Sequence, residues 1–238
     1  MQDKTLNISF DNFAQEGLYL IFPDSTRVEL TRDNIQMMTK EYWNDPKKIP
    51  DYVKTGIDFQ RCPFCPLKNQ NDLCDALRPV LPLLEVVDKY ASFEKITAVY
   101  KGPDTSIYHV ADTPIQEALR FISMISLMHY CQIGKRFWQY YFDVVPLMSG
   151  EEIARRMYLN IYWLNKGNQQ EIDNTIALFE QRIRITSTNQ IKRMNLFCKK
   201  DAFMNAFANN QAIIMLLSMC TDKSLNEALE GFKTKTPV

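Results

Sequence analysis

The sequence predicts an α+β protein, with an N-terminal antiparallel sheet of about five short strands and a C-terminal helical bundle. Apolar and polar residues alternate in the first 30 residues, and turn-forming residues such as Pro23 and Asp24 separate the alternating runs. From residue 113 onward, apolar residues recur every three or four positions behind helix-capping sequences. Strand-rich and helix-rich segments that follow one another along the chain are typical of this fold class.

The five predicted strands are bounded by turn residues. Three of them would form a meander, and two would form a hairpin across residues 101–105. They are predicted at residues 6–10, 18–22, 27–30, 94–100 and 106–110. Residues 45–66 contain four prolines and are predicted to form an irregular loop. A helix is predicted over residues 71–89, broken or kinked by Pro79 and Pro82.

The helical half is predicted from its caps. Thr113 is expected to cap the first helix, with Pro114 at the first helical position, and Ser149 opens a capping box for the second. Further helices are predicted from Asn168, ending near either residue 186 or 197, over residues 201–219, and from Ser224. We therefore expect one unit over residues 1–238, with a β-rich half at 1–112 and a helical half at 113–238.

The composition excludes several classes of protein. Lys plus Arg and Asp plus Glu number 28 each, so the overall charge gives no pull toward nucleic acid or anionic lipid. The start of the chain lacks the pattern of a secretory signal, and the longest apolar stretches are shorter than the ~20 residues that span a bilayer. Six cysteines in 238 residues are too sparse for a disulfide scaffold. These features predict a cytoplasmic protein.

The cysteines carry the clearest chemical signal. The sequence C-P-F-C-P at residues 62–66 places Cys62 and Cys65 three positions apart in a turn, the spacing that lets two thiolates bind one ion. Cys74 follows near the start of the predicted helix, where the positive helix end would favour a thiolate. A tetrahedral ion needs one ligand more. Four residues are candidates for it: Cys131, His129, Cys198 and Cys220.

The sequence does not decide which metal or group such a site would bind. Zinc with four protein ligands is the first interpretation, an iron–sulfur cluster is the second, and a redox-active dithiol is the third. Buried cysteines without any ligand remain a further alternative, since cysteine is common in protein cores.

The chain resembles an uncharacterised bacterial family marked by a Cys-Pro-x-Cys-Pro motif and two further cysteines. The resemblance runs over nearly the whole length. It includes residues 57–67 around the motif, the helix leading to Cys131, and the pattern Asp-Ala-x-x-Asn-Ala that begins at Asp201. It implies that Cys62, Cys65, Cys74 and Cys131 act as one set, and it implies no activity.

Other features favour structural explanations. Residues 134–141 interleave basic and aromatic side chains, which are most simply explained by buried aromatic rings with a solvated edge. Residues 181–200 contain six basic and no acidic residues, and these most simply form a solvated helix face. The signatures of common hydrolases, zinc proteases and nucleotide-binding loops are missing from the sequence.

We therefore expect a non-enzymatic protein with structural zinc and a binding or regulatory role. The alternatives are an iron–sulfur redox or sensor protein and an enzyme with an unrecognised pocket. An unidentified protein partner and a homodimer fit this expectation, whereas a nucleic-acid or membrane partner does not.

Overall fold

Four antiparallel strands form the sheet in the computed structural model, which describes residues 13–45, 49, 61–67, 73–103 and 107–219. The strands are β1 (Gly17–Ile21), β2 (Arg27–Thr31), β3 (Lys95–Lys101) and β4 (Tyr108–Pro114), in the order β2-β1-β3-β4. Leu18 lies opposite Leu30 on one side and Tyr100 on the other, so the buried face of the sheet continues across three strands.

The sheet differs from the prediction in strand number. The described residues form four strands rather than five, and the predicted first strand at residues 6–10 lies outside the described residues. The hairpin is longer than predicted, since β4 continues to Pro114. Consequently the cap predicted at Thr113 is wrong: this residue is paired with Ile96 in the sheet, and the next helix begins at Ile115 without a side-chain cap.

One helix, α1 (Arg32–Asn44), was not predicted from the sequence. Thr31 ends β2 and caps this helix, because its Oγ1 accepts a hydrogen bond from the backbone N–H of Asn34 at 3.2 Å. Ile35 and Thr39 face the interior at helical spacing. The sequence does contain a signal for this helix, namely Thr31 as an N-cap before apolar residues such as Ile35. This cap directly follows a run with the alternating pattern of a strand.

The helix predicted over residues 71–89 is replaced by a series of short turns. Two three-residue 3-10 turns, Asp75–Leu77 and Leu81–Leu83, precede the single-turn helix α2 (Leu84–Val87). Proline lacks a backbone N–H and its ring clashes with the preceding turn of a helix, so Pro79 and Pro82 prevent a continuous α-helix here. Leu77, Val80 and Leu83 are nevertheless buried in the core.

The helical half begins with α3 (Ile115–Ile125), which continues directly into a π-helical turn, Ser126–Tyr130. A 3-10 helix, Gly134–Tyr140, follows, and then come α4 (Gly150–Leu164), α5 (Gln169–Phe197) and α6 (Ala202–Met219). The capping box at Ser149 is confirmed, with both of its reciprocal hydrogen bonds formed. The helix that starts after Asn168 runs to Phe197 without interruption, and the last predicted helix, from Ser224, lies outside the described residues.

One apolar cluster includes side chains from the sheet, the turns after Cys74 and the long helices. Leu18 and Ala98 of the sheet, Leu119 of α3 and Phe207 of α6 all belong to it and are fully buried. Within the described part of the chain, each helix is too short or too polar to cross a membrane.

Candidate metal centre

Residues 62–65 form a tight turn that brings two cysteines together. The backbone N–H of Cys65 donates to the carbonyl oxygen of Cys62 at 3.0 Å. Arg61 closes the base of this loop, because its guanidinium donates to the carbonyl oxygen of Leu67 at 2.9 Å. The turn also packs on α5, where the guanidinium of Arg182 lies 3.5 Å from the centroid of the Phe64 ring. The backbone bend expected of a metal-binding knuckle is therefore present.

Cys74 and Cys131 approach the same region from two other segments. The carbonyl oxygen of Cys74 accepts the first hydrogen bond of the 3-10 turn Asp75–Leu77, at 2.9 Å from the N of Leu77. Cys131 ends the π-helical turn, and its N–H donates to the carbonyl oxygen of Ser126 at 3.0 Å. Cys74 thus starts a three-residue turn and not the predicted helix, so the positive helix end expected beside its sulfur is not formed.

All four predicted cysteines line one cavity of about 20 Å³. Cys62 and Cys131 are buried there against Ala76 and Ile133, while Cys65 and Cys74 are half-buried at its edge. The other candidate ligands lie elsewhere. His129 is exposed and packs edge-on against Trp138, with 5.0 Å between the ring centroids.

Of the two remaining candidates, Cys198 lies at the end of α5 and does not line the cavity. Cys220 lies outside the described residues. The structure therefore brings together the set of four that the family resemblance implies.

Three side chains of α5 donate hydrogen bonds to the sulfur atoms, and sequence reasoning did not identify them. Asn189 Nδ2 lies 3.2 Å from Cys62 Sγ, and Gln190 Nε2 lies 3.4 Å from Cys74 Sγ. Arg193 donates to Cys74 Sγ at 3.2 Å and is only 2% exposed. Donors of this kind stabilise negative charge on sulfur and orient metal ligands.

The basic segment at residues 181–200 is therefore only partly a solvated face, which corrects the prediction. Arg184 and Lys192 are exposed as expected. Arg193 is buried at the cysteines, and Arg182 is half-buried on Phe64. The sequence signal was the spacing: residues 186, 189, 190 and 193 continue the buried stripe of Ile183, so polar residues there must face the interior.

A second layer of hydrogen bonds joins the residues that follow two of the cysteines. Gln132 Nε2 donates to Asp75 Oδ2 at 2.5 Å, and Asp75 forms an ion pair with Arg78 at 2.8 Å. Lys135 donates to Gln132 Oε1 at 2.5 Å. The amide of Gln132 therefore connects the segment of Cys131 to the segment of Cys74.

Burial favours the protonated form of the thiols of Cys62, Cys65 and Cys131. Burial raises the pKa of the Cys62 thiol, against the hydrogen bond from Asn189 and the charge of Arg193, which lower it. Burial likewise raises the pKa of Cys65, and it raises the pKa of Cys131 to about 12. A metal ion bound here would have to displace these protons.

As the side chains are placed, no group of three or more histidine, cysteine, aspartate or glutamate residues within the described ranges has the arrangement of a metal site. The five described cysteines are free thiols. The cavity is large enough for one water-sized particle, since a water needs ~10–15 Å³ by the same measure.

The fold and the site define an α+β protein in which four cysteines, two of them buried and two half-buried, line one cavity. Residues 19–233 match the family described as Domain of unknown function (DUF6901), and the chain belongs to that family. Membership confirms the predicted resemblance to an uncharacterised family, while the bacterial distribution and the Cys-Pro motif of that family stay predictions. No curated protein and no solved structure matches the chain.

Proposed function

We propose that Cys62, Cys65, Cys74 and Cys131 hold one structural zinc ion in a protein without enzymatic activity. The observation that supports this function best is the convergence of four thiols, from three separate segments, on one ion-sized cavity. Zinc bound to four thiolates has no open coordination position for a substrate, which is why we assign it a structural role.

The groups around the cavity also suit a thiolate centre. A zinc ion with four thiolates carries a net charge of about −2, and burying such a charge requires donors and a nearby cation. Asn189 and Gln190 supply donors, and Arg193 supplies a buried guanidinium. Four neutral thiols without a metal would carry no negative charge for these donors and this guanidinium to stabilise.

Zinc binding at this site requires the thiols to lose their protons and some of the cysteine side chains to rotate. Rotation of a cysteine about its Cα–Cβ bond moves the sulfur without moving the backbone, so the tight turn of residues 62–65 could be kept. The bound ion would then connect this turn and Cys74 to the end of the π-helical turn that follows α3. Because reduced cysteines are needed, the proposal places the protein in the cytoplasm.

The role of the whole protein would be binding or regulation. The zinc would hold the surface formed by the turn at residues 62–65 and the π-helical turn in one conformation. A protein partner or a second copy of the chain could then recognise that surface.

The test is elemental analysis of protein purified under anaerobic, reducing conditions. We expect about one zinc per chain in the wild type, and a lower stoichiometry in Cys62→Ser and Cys131→Ser. Cys198→Ser is the matched control, because Cys198 is a half-buried free cysteine outside the cavity, and it should keep the zinc. Addition of a chelator should lower the melting temperature of the wild type and of the control.

Cobalt(II) substitution gives a second readout, since tetrahedral thiolate coordination has characteristic visible bands. Iron with brown colour would replace the zinc proposal with an iron–sulfur cluster. Protein without metal, whose stability is unchanged by the chelator and by Cys62→Ser, would refute the metal site altogether.

A further inference from the structure

A large cleft is lined by His129 and Tyr130 of the π-helical turn and by none of the four cysteines. Its volume is about 710 Å³, which falls within the ~300–1,000 Å³ of typical small-molecule sites. The first turn of α1 and the strand residues Leu30 and Tyr100 form one side. The other side comes from α3, the π-helical turn and residues 138–146.

The second side of the cleft presents aromatic rings to solvent. Phe142 is 65% exposed, and Trp138 is 37% exposed. His129 extends from the π-helical turn and packs edge-on against Trp138. π-Helical turns are rare and occur frequently at functional sites. Here the turn directs an imidazole into the cleft, beside rings whose faces can stack on a planar molecule.

The opposite side is polar and carries a net negative charge. Among the described lining residues, Glu16 and Asp33 are carboxylates, and Arg32 is the only Lys or Arg. All three residues are exposed. Tyr100 also lines this side, where burial and the charge of Glu16 raise the pKa of its hydroxyl, so this group stays a hydrogen-bond donor.

We propose that this cleft binds a small planar organic cation. Its apolar body would stack on Phe142 and Trp138, and its positive charge would face Glu16 and Asp33. Cations are attracted both by aromatic faces and by carboxylates, so the two sides of the cleft select the same class of ligand. An anionic ligand of the same shape would be disfavoured by the excess of carboxylates. This binding function does not depend on zinc.

The test compares two fluorescent probes of opposite charge on the full chain. Proflavine is a planar aromatic cation, and 8-anilinonaphthalene-1-sulfonate is an aromatic anion. We expect saturable binding of proflavine, tighter than that of the anion. Phe142→Ala should weaken proflavine binding by about 3- to 10-fold, as the loss of one aromatic contact does. Asp33→Asn should weaken it by about 2- to 5-fold, in a manner reduced by salt.

Phe93→Ala is the matched control, because Phe93 is 75% exposed and does not line the cleft. It should change proflavine affinity by less than about twofold. Since both phenylalanines are largely exposed, neither truncation should unfold the chain, and circular dichroism checks this. Several results would overturn the proposal: no binding of proflavine, equal or tighter binding of the anion, or an equal effect of Phe93→Ala. Dimerisation that Phe142→Ala abolishes would assign the cleft to a second copy of the chain and would also overturn it.

Discussion

Replacing Asp201 should destabilise the protein strongly, because this residue joins the helical half to the sheet. Asp201 immediately precedes α6, and its carboxylate accepts two hydrogen bonds from Ser92, which lies shortly before β3. The backbone N–H and the hydroxyl of Ser92 each lie 2.8 Å from a carboxylate oxygen. Asn205 donates a third hydrogen bond from within α6 at 3.0 Å.

The size of the effect follows from these contacts. A hydrogen bond to a charged group contributes about 1.5–3 kcal/mol, and a half-buried carboxylate belongs at the lower end of that range. Ser92 is only 5% exposed, so Asp201→Ala would leave two of its donors buried without this acceptor. We expect a loss of about 2–4 kcal/mol in the free energy of unfolding. For a chain of this length, that lowers the melting temperature by about 5–15 °C.

The carboxylate charge gives the contribution a defined pH dependence. Burial raises the pKa of Asp201, but the hydrogen bonds from Ser92 and Asn205 outweigh it and hold the pKa below its ordinary value. A carboxyl group with a lowered pKa in the folded state stabilises the protein above its unfolded pKa, and the stabilisation is lost as the pH falls through the folded value. The difference between wild type and Asp201→Asn should therefore be largest at neutral pH and shrink below about pH 4.

Urea unfolding followed by far-UV circular dichroism measures these free energies. Asp173→Ala is the control, because Asp173 is exposed and its carboxylate accepts a hydrogen bond from Gln169 on the same helix. It should cost less than about 0.5 kcal/mol. Two results would show that the hydrogen bonds between Ser92 and Asp201 do not stabilise the fold as described. One is that Asp201→Ala lowers the free energy of unfolding no more than Asp173→Ala does. The other is that the loss caused by Asp201→Asn grows in acid.

Three further changes probe other parts of the structure. Gly134→Ala should cost at least about 2 kcal/mol, since the new Cβ would overlap the carbonyl of Leu127, and wild-type stability in urea would contradict this. Ser149→Ala removes the capping box of α4 and should cost about 1 kcal/mol, most of which Ser149→Asp restores; no recovery would argue against capping as the cause. Asn189→Ala removes the donor to Cys62 and should weaken zinc binding by about 10-fold in competition with a chelator, whereas unchanged affinity would remove Asn189 from the metal centre.

The elements that the sequence predicted well are those whose ends are set locally. The capping box at Ser149 and the cap at Asn168 each depend on residues within three positions, and both are formed as predicted. The Thr113 cap failed because tertiary pairing overrode the local preference: the residue is held in a strand opposite Ile96. Local sequence cannot show which of two compatible partners a residue obtains, since that depends on segments far along the chain.

The cysteines of the candidate site could be predicted from the sequence, but the hydrogen-bond donors that surround their sulfur atoms could not. The spacing of Cys62 and Cys65 indicates a turn, which is a local property. The donors Asn189 and Arg193 lie 127 and 119 positions from the sulfurs that they contact. A buried arginine looks like any other basic residue in a charged helical segment. Only the continuation of the buried stripe along α5 distinguishes its position.

The π-helical turn explains why the choice between His129 and Cys131 could not be made from periodicity. In an α-helix, His129 would lie on or beside the apolar stripe that begins at Ile115. Bonds from residue i+5 to residue i wind the chain less per residue than α-helical bonds, so the directions of the side chains after Ile125 change. As a result His129 reaches the exposed cleft, whereas Cys131 reaches the buried cavity. Residues two positions apart point in nearly opposite directions on any helix, so the turn does not itself separate His129 from Cys131. It sets which of the two faces the cavity, and Cys131 does so from an extended conformation at the end of the turn.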